Sequence, residues 1–462
     1  MAQQLTIVMA QLNFLVGDID GNTDLVIASA RRAITEQSAD MIVFPELTLV
    51  GYPPEDLLLR PSLQVRVEKA LVKILAANLD IFLVLGYPFR QSAKLYNALS
   101  VIKKRECLGV YLKQCLPNYQ VFDEHRYFAP GSDPLVLELL GTRCAFTICE
   151  DLWESGPIQQ AKSAGAQLAV NINASPFHIN KLVERKELLS KRCKQAGFPI
   201  LYVNLIGGQD ELVFDGGSMA ANAEGECCFL APSYVEGLYS LEILVSQDGR
   251  IEIPHKSIAN ELDLEADVYL SLVLGVRDYV NKNKFKGVVL GLSGGIDSAL
   301  TLAIAVDALG SDRVKAVMMP FEFTSQLSLD VAAKQAKKLG VNYQVIAINE
   351  IYHSFIDALS EEFAGTTVDV SEQNIQARAR GVLLMAISNK QGLLVLTTGN
   401  KSEIAVGYST LYGDMAGGFD VLKDVSKTLV YKLANYRNNS FLQQREEIIS
   451  QLVIDRAPSA EL

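Results

Sequence analysis

The sequence is poor in the residues that build metal and disulfide sites. It has four histidines and one tryptophan in 462 residues. The histidines (His125, His178, His255 and His353) stand apart without metal-ligand spacing, so no transition-metal site is predicted. The seven cysteines, at 107, 115, 144, 149, 193, 227 and 228, form no C-x-x-C pair. That odd count offers neither a zinc knuckle nor a disulfide framework, and reduced thiols are expected. Long hydrophobic runs are also missing, since none approaches the roughly 18 residues of a membrane-spanning helix. A strand-like pattern already begins at Leu5, which leaves no room for a signal peptide and predicts a cytoplasmic chain. Positive charge is in deficit: 42 Lys plus Arg against 53 Asp plus Glu give a net charge of -11. That balance favours solubility and gives no general attraction to nucleic acid or anionic lipid.

What is present is a composition near the globular average, 49% apolar and 21% charged, on a chain long enough for at least two folding units. The first 250 residues alternate brief apolar runs with amphipathic stretches. Leu5 to Ala10, Met41 to Phe44, Ile81 to Leu85, Asn97 to Ile102, Cys144 to Ile148, Leu168 to Ile172 and Ile200 to Asn204 read as buried strands, and Asn22 to Glu36 and Lys181 to Ala196 as helices. From Asp210 to Leu244 turn signals at 215 to 217 and 224 to 226 predict hairpins. The strand rhythm stops around Gly249 to Leu262, which places one unit at 1–250, a linker at 251–264 and a second unit at 265–462. Beyond the linker, strands and helices alternate: strand patterns at Gly287 to Leu292, Val314 to Met319, Tyr343 to Ile348 and Leu393 to Thr397 are separated by helical ones, which predicts a parallel sheet with ligands at the carboxyl ends of its strands.

At the first of those ends stands Ser293-Gly294-Gly295-Ile296-Asp297-Ser298, followed at once by a helix. Two glycines let the backbone approach an anion, the hydroxyls and free amides at the helix start can donate to phosphate oxygens, and Asp297 can hold a magnesium ion. No lysine follows the second glycine, so this is not the G-x-x-x-x-G-K-[ST] loop that handles a γ-phosphate. Downstream, Thr397-Thr398-Gly399-Asn400-Lys401-Ser402-Glu403 also ends a strand and opens a helix; Thr398 can contact ATP and Glu403 can be a second magnesium ligand. Asn374 and Arg378 lie four apart on one helix face, and a Gly-rich stretch follows at Tyr408 to Gly418. The loop resembles that of the ATP pyrophosphatase family, whose members adenylylate a substrate and release pyrophosphate, and the set resembles the NAD synthetases, which amidate deamido-NAD. The resemblance implies ATP binding by Ser293, Gly294, Gly295, Asp297, Ser298, Met318, Thr398 and Lys427. It implies deamido-NAD binding by Asn374, Arg378, Glu403 and Asp414, and Mg2+ on Asp297 and Glu403.

In the first unit Cys149 ends a buried strand and is followed by Glu150, Asp151, Leu152 and Trp153. Most cysteines are inert small apolar residues, and Cys107, Cys144 and Cys193 keep that reading. Cys149 has company: Glu46 and Lys113 each follow another apolar run. A positive neighbour lowers a thiol pKa, a carboxylate takes its proton, and an ammonium stabilises an oxyanion, which suffices for amide hydrolysis. The Glu-Lys-Cys order resembles the nitrilase (carbon-nitrogen hydrolase) superfamily. That resemblance implies Glu46, Lys113 and Cys149 as the catalytic set and Glu124 as a second acid that supports the lysine. It further implies glutamine binding by Tyr119, Glu124, Glu150, Trp153, Ser175 and Lys181, the last standing where some relatives carry arginine.

The two resemblances together imply an α/β protein with a nitrilase-like α-β-β-α sandwich followed by a doubly wound parallel sheet of the adenine nucleotide α-hydrolase type. They imply a glutaminase that feeds ammonia to an ATP-dependent ligase, with glutamine, ATP and deamido-NAD as substrates, a homo-oligomeric assembly, and no nucleic-acid or membrane partner. Ammonium is protonated near neutral pH and cannot attack, which explains why an ammonia source is joined to the ligase. Two rival readings are an amidase with a nucleotide-sensing domain and an adenylylating enzyme that modifies tRNA; the acidic balance and the absence of a paired cysteine motif weigh against the second. Similar synthetases continue with further helices past Lys427, so the chain is expected to be shortened at its C-terminal end, Pro458 to Leu462.

Overall fold

The computed structural model describes residues 3–247, 249–254, 256–441 and 446–457. His255 and the end from Pro458 to Leu462 lie outside them. The chain divides into two compact units, Met1–Glu261 and Leu262–Leu462.

Among the described residues the first unit contains two seven-stranded sheets. In one, Gln3–Gln11 pairs antiparallel with Gly237–Val245 and parallel with Met41–Val43, and the sheet continues through Leu79–Gln91 and Lys94–Lys104 to Glu106–Leu112. In the other, Thr142–Ile148, Leu168–Asn173 and Ile200–Asn204 run parallel. Both faces of these strands are covered, which is why the sequence shows continuous apolar runs rather than alternation. Ile7, Met9, Val84 and Tyr111 of the first sheet share a buried cluster with Phe146, Ile148, Val170, Ile172 and Val203 of the second. Their neighbours face outward: Val8, Ile42 and Leu83 pack with Val26 and Ala30 of helix Ile19–Gln37 and Val67 and Ile74 of helix Pro61–Ala76. Ala145, Ala169 and Tyr202 pack with Leu188, Leu189 and Cys193 of helix Lys181–Ala196. The layers are therefore α-β-β-α.

Two local features differ from the sequence reading. Ile251–Glu252 pairs with Gly237–Val245 and Ser257–Ile258 with Cys227–Leu230, so residues expected as linker supply an edge strand to each sheet. A two-residue strand is too short to carry a period. The hairpin near Asp215-Gly216-Gly217 turns instead at Asp210 and Glu211, between Ile206–Gln209 and Leu212–Asp215, while the turn at 224 to 226 joins Met219–Ala221 to Cys227–Leu230 as expected.

Among the described residues the second unit contains five parallel strands in the spatial order Asn342–Val345, Val314–Met318, Gly287–Gly291, Leu393–Thr397, Phe419–Asp420. The chain starts in the centre, winds to one edge and returns to the other side, so the order reverses between Gly287–Gly291 and Leu393–Thr397. Such a switch leaves a crevice at the carboxyl ends of the two strands. Helix Ile296–Leu309, apolar almost all round, is buried against the sheet. At its far end Asp307 accepts from Arg437 Nε (2.5 Å) and Nη2 (2.9 Å) of helix Lys427–Asn439 and from the Tyr269 hydroxyl (2.6 Å). Among the described residues no helix is long and apolar enough to cross a membrane.

Candidate active sites

In the first unit the predicted residues gather where the strands end. Glu46 follows Met41–Val43, Lys113 follows Glu106–Leu112 and Cys149 follows Thr142–Ile148. The end of Leu168–Asn173 ties them together: Ile172 O accepts the Cys149 amide (2.8 Å), Asn173 O accepts the Glu46 amide (3.4 Å), and the Ala174 amide donates to Glu46 Oε2 (3.0 Å). Gly86 lets a neighbouring strand pass beneath this corner, since a Cβ there would meet Leu47 N at 2.7 Å and Pro45 O at 2.9 Å. Cys149 sits at φ 43°, ψ -99°, a strained turn from strand to helix that costs about 1–3 kcal/mol and holds the thiol at a fixed angle.

Lys113 is fully buried. Its Nζ donates to Glu46 Oε1 (2.7 Å) and to both oxygens of Glu124 (2.9 and 2.8 Å); Asn97 Nδ2 also donates to Glu46 Oε1 (2.7 Å), and the Tyr52 hydroxyl to Glu124 (3.1 Å). Burial opposes the charge on Lys113, but Glu124 and Glu46 outweigh it and hold the ammonium well above its ordinary pKa. Burial pushes Glu124 up to about 7, against the pull of Lys113. Burial, with Glu46 adding to it and Lys113 opposing, also raises the Cys149 thiol well above its usual value. The resting nucleophile is thus a thiol, and it needs a base as it attacks.

The short helix Glu150–Trp153 brings two further pairs to the corner. The Tyr119 hydroxyl donates to both Glu150 oxygens (3.1 Å each), and Lys181 Nζ lies 4.2 Å from the centre of the Trp153 ring. Ser175, two residues beyond Asn173, is buried. Sequence reasoning missed Asn97 and Asp151. Asp151 is fully buried and accepts from the amides of Gln114 (3.0 Å), Cys115 (2.8 Å) and Ile148 (3.0 Å) and from the Tyr111 hydroxyl (2.9 Å), so it fastens the segment after Lys113 to the strand before Cys149. The only signal was an acid inside a strand-to-helix turn.

The second unit holds a cavity of about 820 Å³ at the switch point. Ser293, Gly294, Gly295, Asp297, Ser298, Met318, Thr398, Glu403, Asp414 and Lys427 all line it. Gly294 has φ 83°, and a Cβ there would lie 2.5 Å from Ser328 O, so the loop's backbone needs glycine. The Ser298 hydroxyl donates to Gly295 O (3.0 Å) and accepts from the Ser293 amide (3.2 Å), which closes the loop on itself. Asp297 is paired with Lys427, whose Nζ is 3.8 Å from Glu403 Oε1, and it accepts from Asn400 Nδ2 (3.0 Å). Burial raises the Glu403 pKa, with Asp297 adding to it and the Asn400 amide and Lys427 opposing. Asn400 caps its helix by accepting from the Ser402 and Glu403 amides (3.0 and 3.1 Å); the capping pattern N-K-S-E was its available signal. Asn374 and Arg378, by contrast, are not among the residues that line the cavity. Asn374 Oδ1 accepts from the Thr410 hydroxyl (2.9 Å) and Arg378 Nε donates to Leu411 O (3.3 Å), while Asp414 accepts the Thr410 amide (2.7 Å), so all three hold one loop.

Comparison with known proteins gives two family matches: carbon-nitrogen hydrolase over residues 6–247 and NAD synthase over residues 268–462. The chain is 48% identical to a glutamine-dependent NAD(+) synthetase of Acinetobacter baylyi over 457 residues, covering 99% of this chain and 83% of that one. It is 43% identical to a glutamine-dependent NAD(+) synthetase of Aquifex aeolicus over 491 residues, with 99% and 85% covered. A solved structure of a glutamine-dependent NAD+ synthetase from Acinetobacter baumannii, in complex with ADP, superposes with a TM-score of 0.93 at 46% identity, covering 99% of this chain and 86% of that one.

Proposed function

Because the chain belongs to the glutamine-dependent NAD(+) synthetases, we propose that Cys149 releases ammonia from glutamine and that the phosphate-loop cavity uses it to amidate deamido-NAD. An amidase that merely senses nucleotide is not favoured by matches that span both units.

The observation that carries the reading is the contact of Lys113 with Glu46 at 2.7 Å beside a thiol whose pKa is raised. Glu46 takes the thiol proton as sulfur attacks the side-chain amide carbon of glutamine, and Lys113 faces the oxygen that gains negative charge. The C–N bond breaks, the proton on Glu46 goes to the departing nitrogen, and ammonia leaves. Water, deprotonated by Glu46, then cleaves the thioester to glutamate and restores the thiol. Glu124 keeps Lys113 charged and in place. Tyr119, Glu150, Trp153, Ser175 and Lys181 bind the glutamine backbone end.

In the second unit ATP and deamido-NAD enter the cavity. The carboxylate of deamido-NAD attacks the α-phosphorus, pyrophosphate leaves into the amides and hydroxyls of Ser293, Gly294, Gly295 and Ser298, and ammonia then displaces AMP from the acyl adenylate. Thr398 and Met318 contact ATP, and Asn374, Arg378 and Asp414 shape the loop against the dinucleotide. Asp297 and Glu403 converge on the single ammonium of Lys427, a spacing and a hard-oxygen donor set that suit Mg2+; these two carboxylates would hold it. Bound there, the ion supplies neutralisation of phosphate charge. A homo-oligomer is part of this reading, and sedimentation at several concentrations tests it.

Cys149→Ala decides the assignment. It should abolish NAD formation from glutamine while added ammonium still supports it; glutamate release by the variant sinks the role of Cys149.

A further inference from the structure

Helix Lys181–Ala196 opens with the charged string K-L-V-E-R-K-E, yet one of its cations turns inward. The side chain of Arg185 has no exposure. Its guanidinium has five N–H donors and makes five hydrogen bonds: Nη1 to both oxygens of Asp215 (2.8 Å each), Nη2 to Ser175 O (2.7 Å) and Pro176 O (3.2 Å), and Nε to Ser175 Oγ (3.1 Å). No donor is left for a substrate. Ser175 is held elsewhere too, its amide on Asn204 Oδ1 (2.9 Å) and its carbonyl on Asn204 Nδ2 (3.3 Å).

We infer that Arg185 is a positioning residue that fixes the Ser175 hydroxyl as a proton donor and thereby sets the affinity of the first site for the α-carboxylate of glutamine. The inference rests on the reading of Ser175 as a glutamine contact. A guanidinium cannot accept a hydrogen bond, so Ser175 Oγ must receive the Nε–H with a lone pair, and its own proton is directed to another acceptor, either the buried Tyr202 hydroxyl beside it or a bound substrate. Lys181, one turn before Arg185 on the same helix face, presents an ammonium beside Trp153 and 3.4 Å from Glu184 Oε2, a long contact that a substrate carboxylate can share. A hydroxyl constrained to donate and a cation together suit an anion, and the α-carboxylate is the anionic group of the substrate. Packing alone does not call for this arrangement, because a buried ion pair is no more stabilising than apolar residues of the same volume.

The experiment is steady-state glutaminase kinetics on the full chain with Arg185→Lys, Ser175→Ala and the pair combined, alongside the alkylation rate of Cys149 by iodoacetamide, an amide without an α-carboxylate. Arg185→Lys and Ser175→Ala should each raise KM for glutamine about tenfold, the worth of one charge-assisted hydrogen bond, with kcat within about twofold and alkylation unchanged. The combined variant should be no worse than Ser175→Ala alone, because both remove the same contact. Multiplied losses, or a parallel fall in kcat and alkylation, overturn the inference and leave the reading of Ser175 intact. An unchanged KM in Ser175→Ala overturns both. Should Arg185→Lys not fold, Arg185→Met with Asp215→Leu replaces the buried pair by apolar residues; it should show the same KM rise, and an unchanged KM refutes the role.

Discussion

Replacing Lys113 by methionine removes the ammonium that both Glu46 and Glu124 touch, and both carboxylates are buried, 1% and 5% exposed. Breaking a buried ion pair from one side costs about 3–5 kcal/mol. Protonation limits that cost. Burial already raises Glu124 to about 7 with the lysine holding it down, so without the lysine its pKa climbs further and the folded variant keeps a proton on the pair. In the unfolded chain the same acid is ionised above about 4.3. The folded state therefore binds more protons than the unfolded one, and stability falls as pH rises, by about 1.4 kcal/mol per pH unit for one proton. In the parent this slope ends near pH 7, where Glu124 ionises; in the variant it continues. Between pH 7 and 9 the variant should lose up to about 2.7 kcal/mol more than the parent. For a unit of roughly 250 residues, with about 2–4 °C per kcal/mol, the melting deficit should widen by about 5–10 °C. The fluorescence of Trp153, the one tryptophan in the sequence, reports melting of the first unit. A deficit that is absent, or equal at pH 7 and pH 9, refutes the electrostatic account of the site.

Asp297→Asn should lower NAD synthesis at least about a hundredfold with glutamine and with ammonium alike, the scale of losing one electrostatic contact in a transition state; normal ammonium-driven turnover would exclude its role. Gly294→Ala places a Cβ 2.5 Å from Ser328 O at a positive φ, so ATP binding measured by calorimetry should be lost while glutamine hydrolysis persists. In Asp151→Asn the new amide presents N–H toward the Ile148 amide that Asp151 accepts at 3.0 Å, so the Cys149 turn loosens; iodoacetamide alkylation should slow several-fold with KM for glutamine little changed, and an unaltered alkylation rate would show that the fastening does not position the thiol.

The residues that end strands were legible: Glu46, Lys113, Cys149 and the loop 293–298 each follow an apolar run that the structure makes a strand. Their partners were not. Asn97 meets Glu46 from 51 positions away and Asp215 meets Arg185 from 30, and buried apolar strands resemble one another too closely for their pairing to be read in advance. Arg185 was hidden by its neighbours, because a string of lysines and glutamates on a helix reads as a solvated face whichever cation turns inward. The edge strands at 251 and 257 gave no period because each has only two residues. The lining of the cavity in the second unit was legible for the opposite reason, since glycine, serine and acid at a strand end have little other use.

The pairing of Asp307 with Arg437 has a mechanical consequence. Asp297 and Asp307 are ten residues apart on helix Ile296–Leu309, and Lys427 and Arg437 are ten apart on helix Lys427–Asn439. Ten residues of helix rise about 15 Å, so the two ion pairs are level rungs between two parallel rails. A truss of that kind resists shear: one helix cannot slide along the other without breaking the far rung, which is buried and carries a third bond from Tyr269. Any departure of Lys427 from Asp297 that leaves the far rung intact is thereby confined to rotations about the lysine's own bonds.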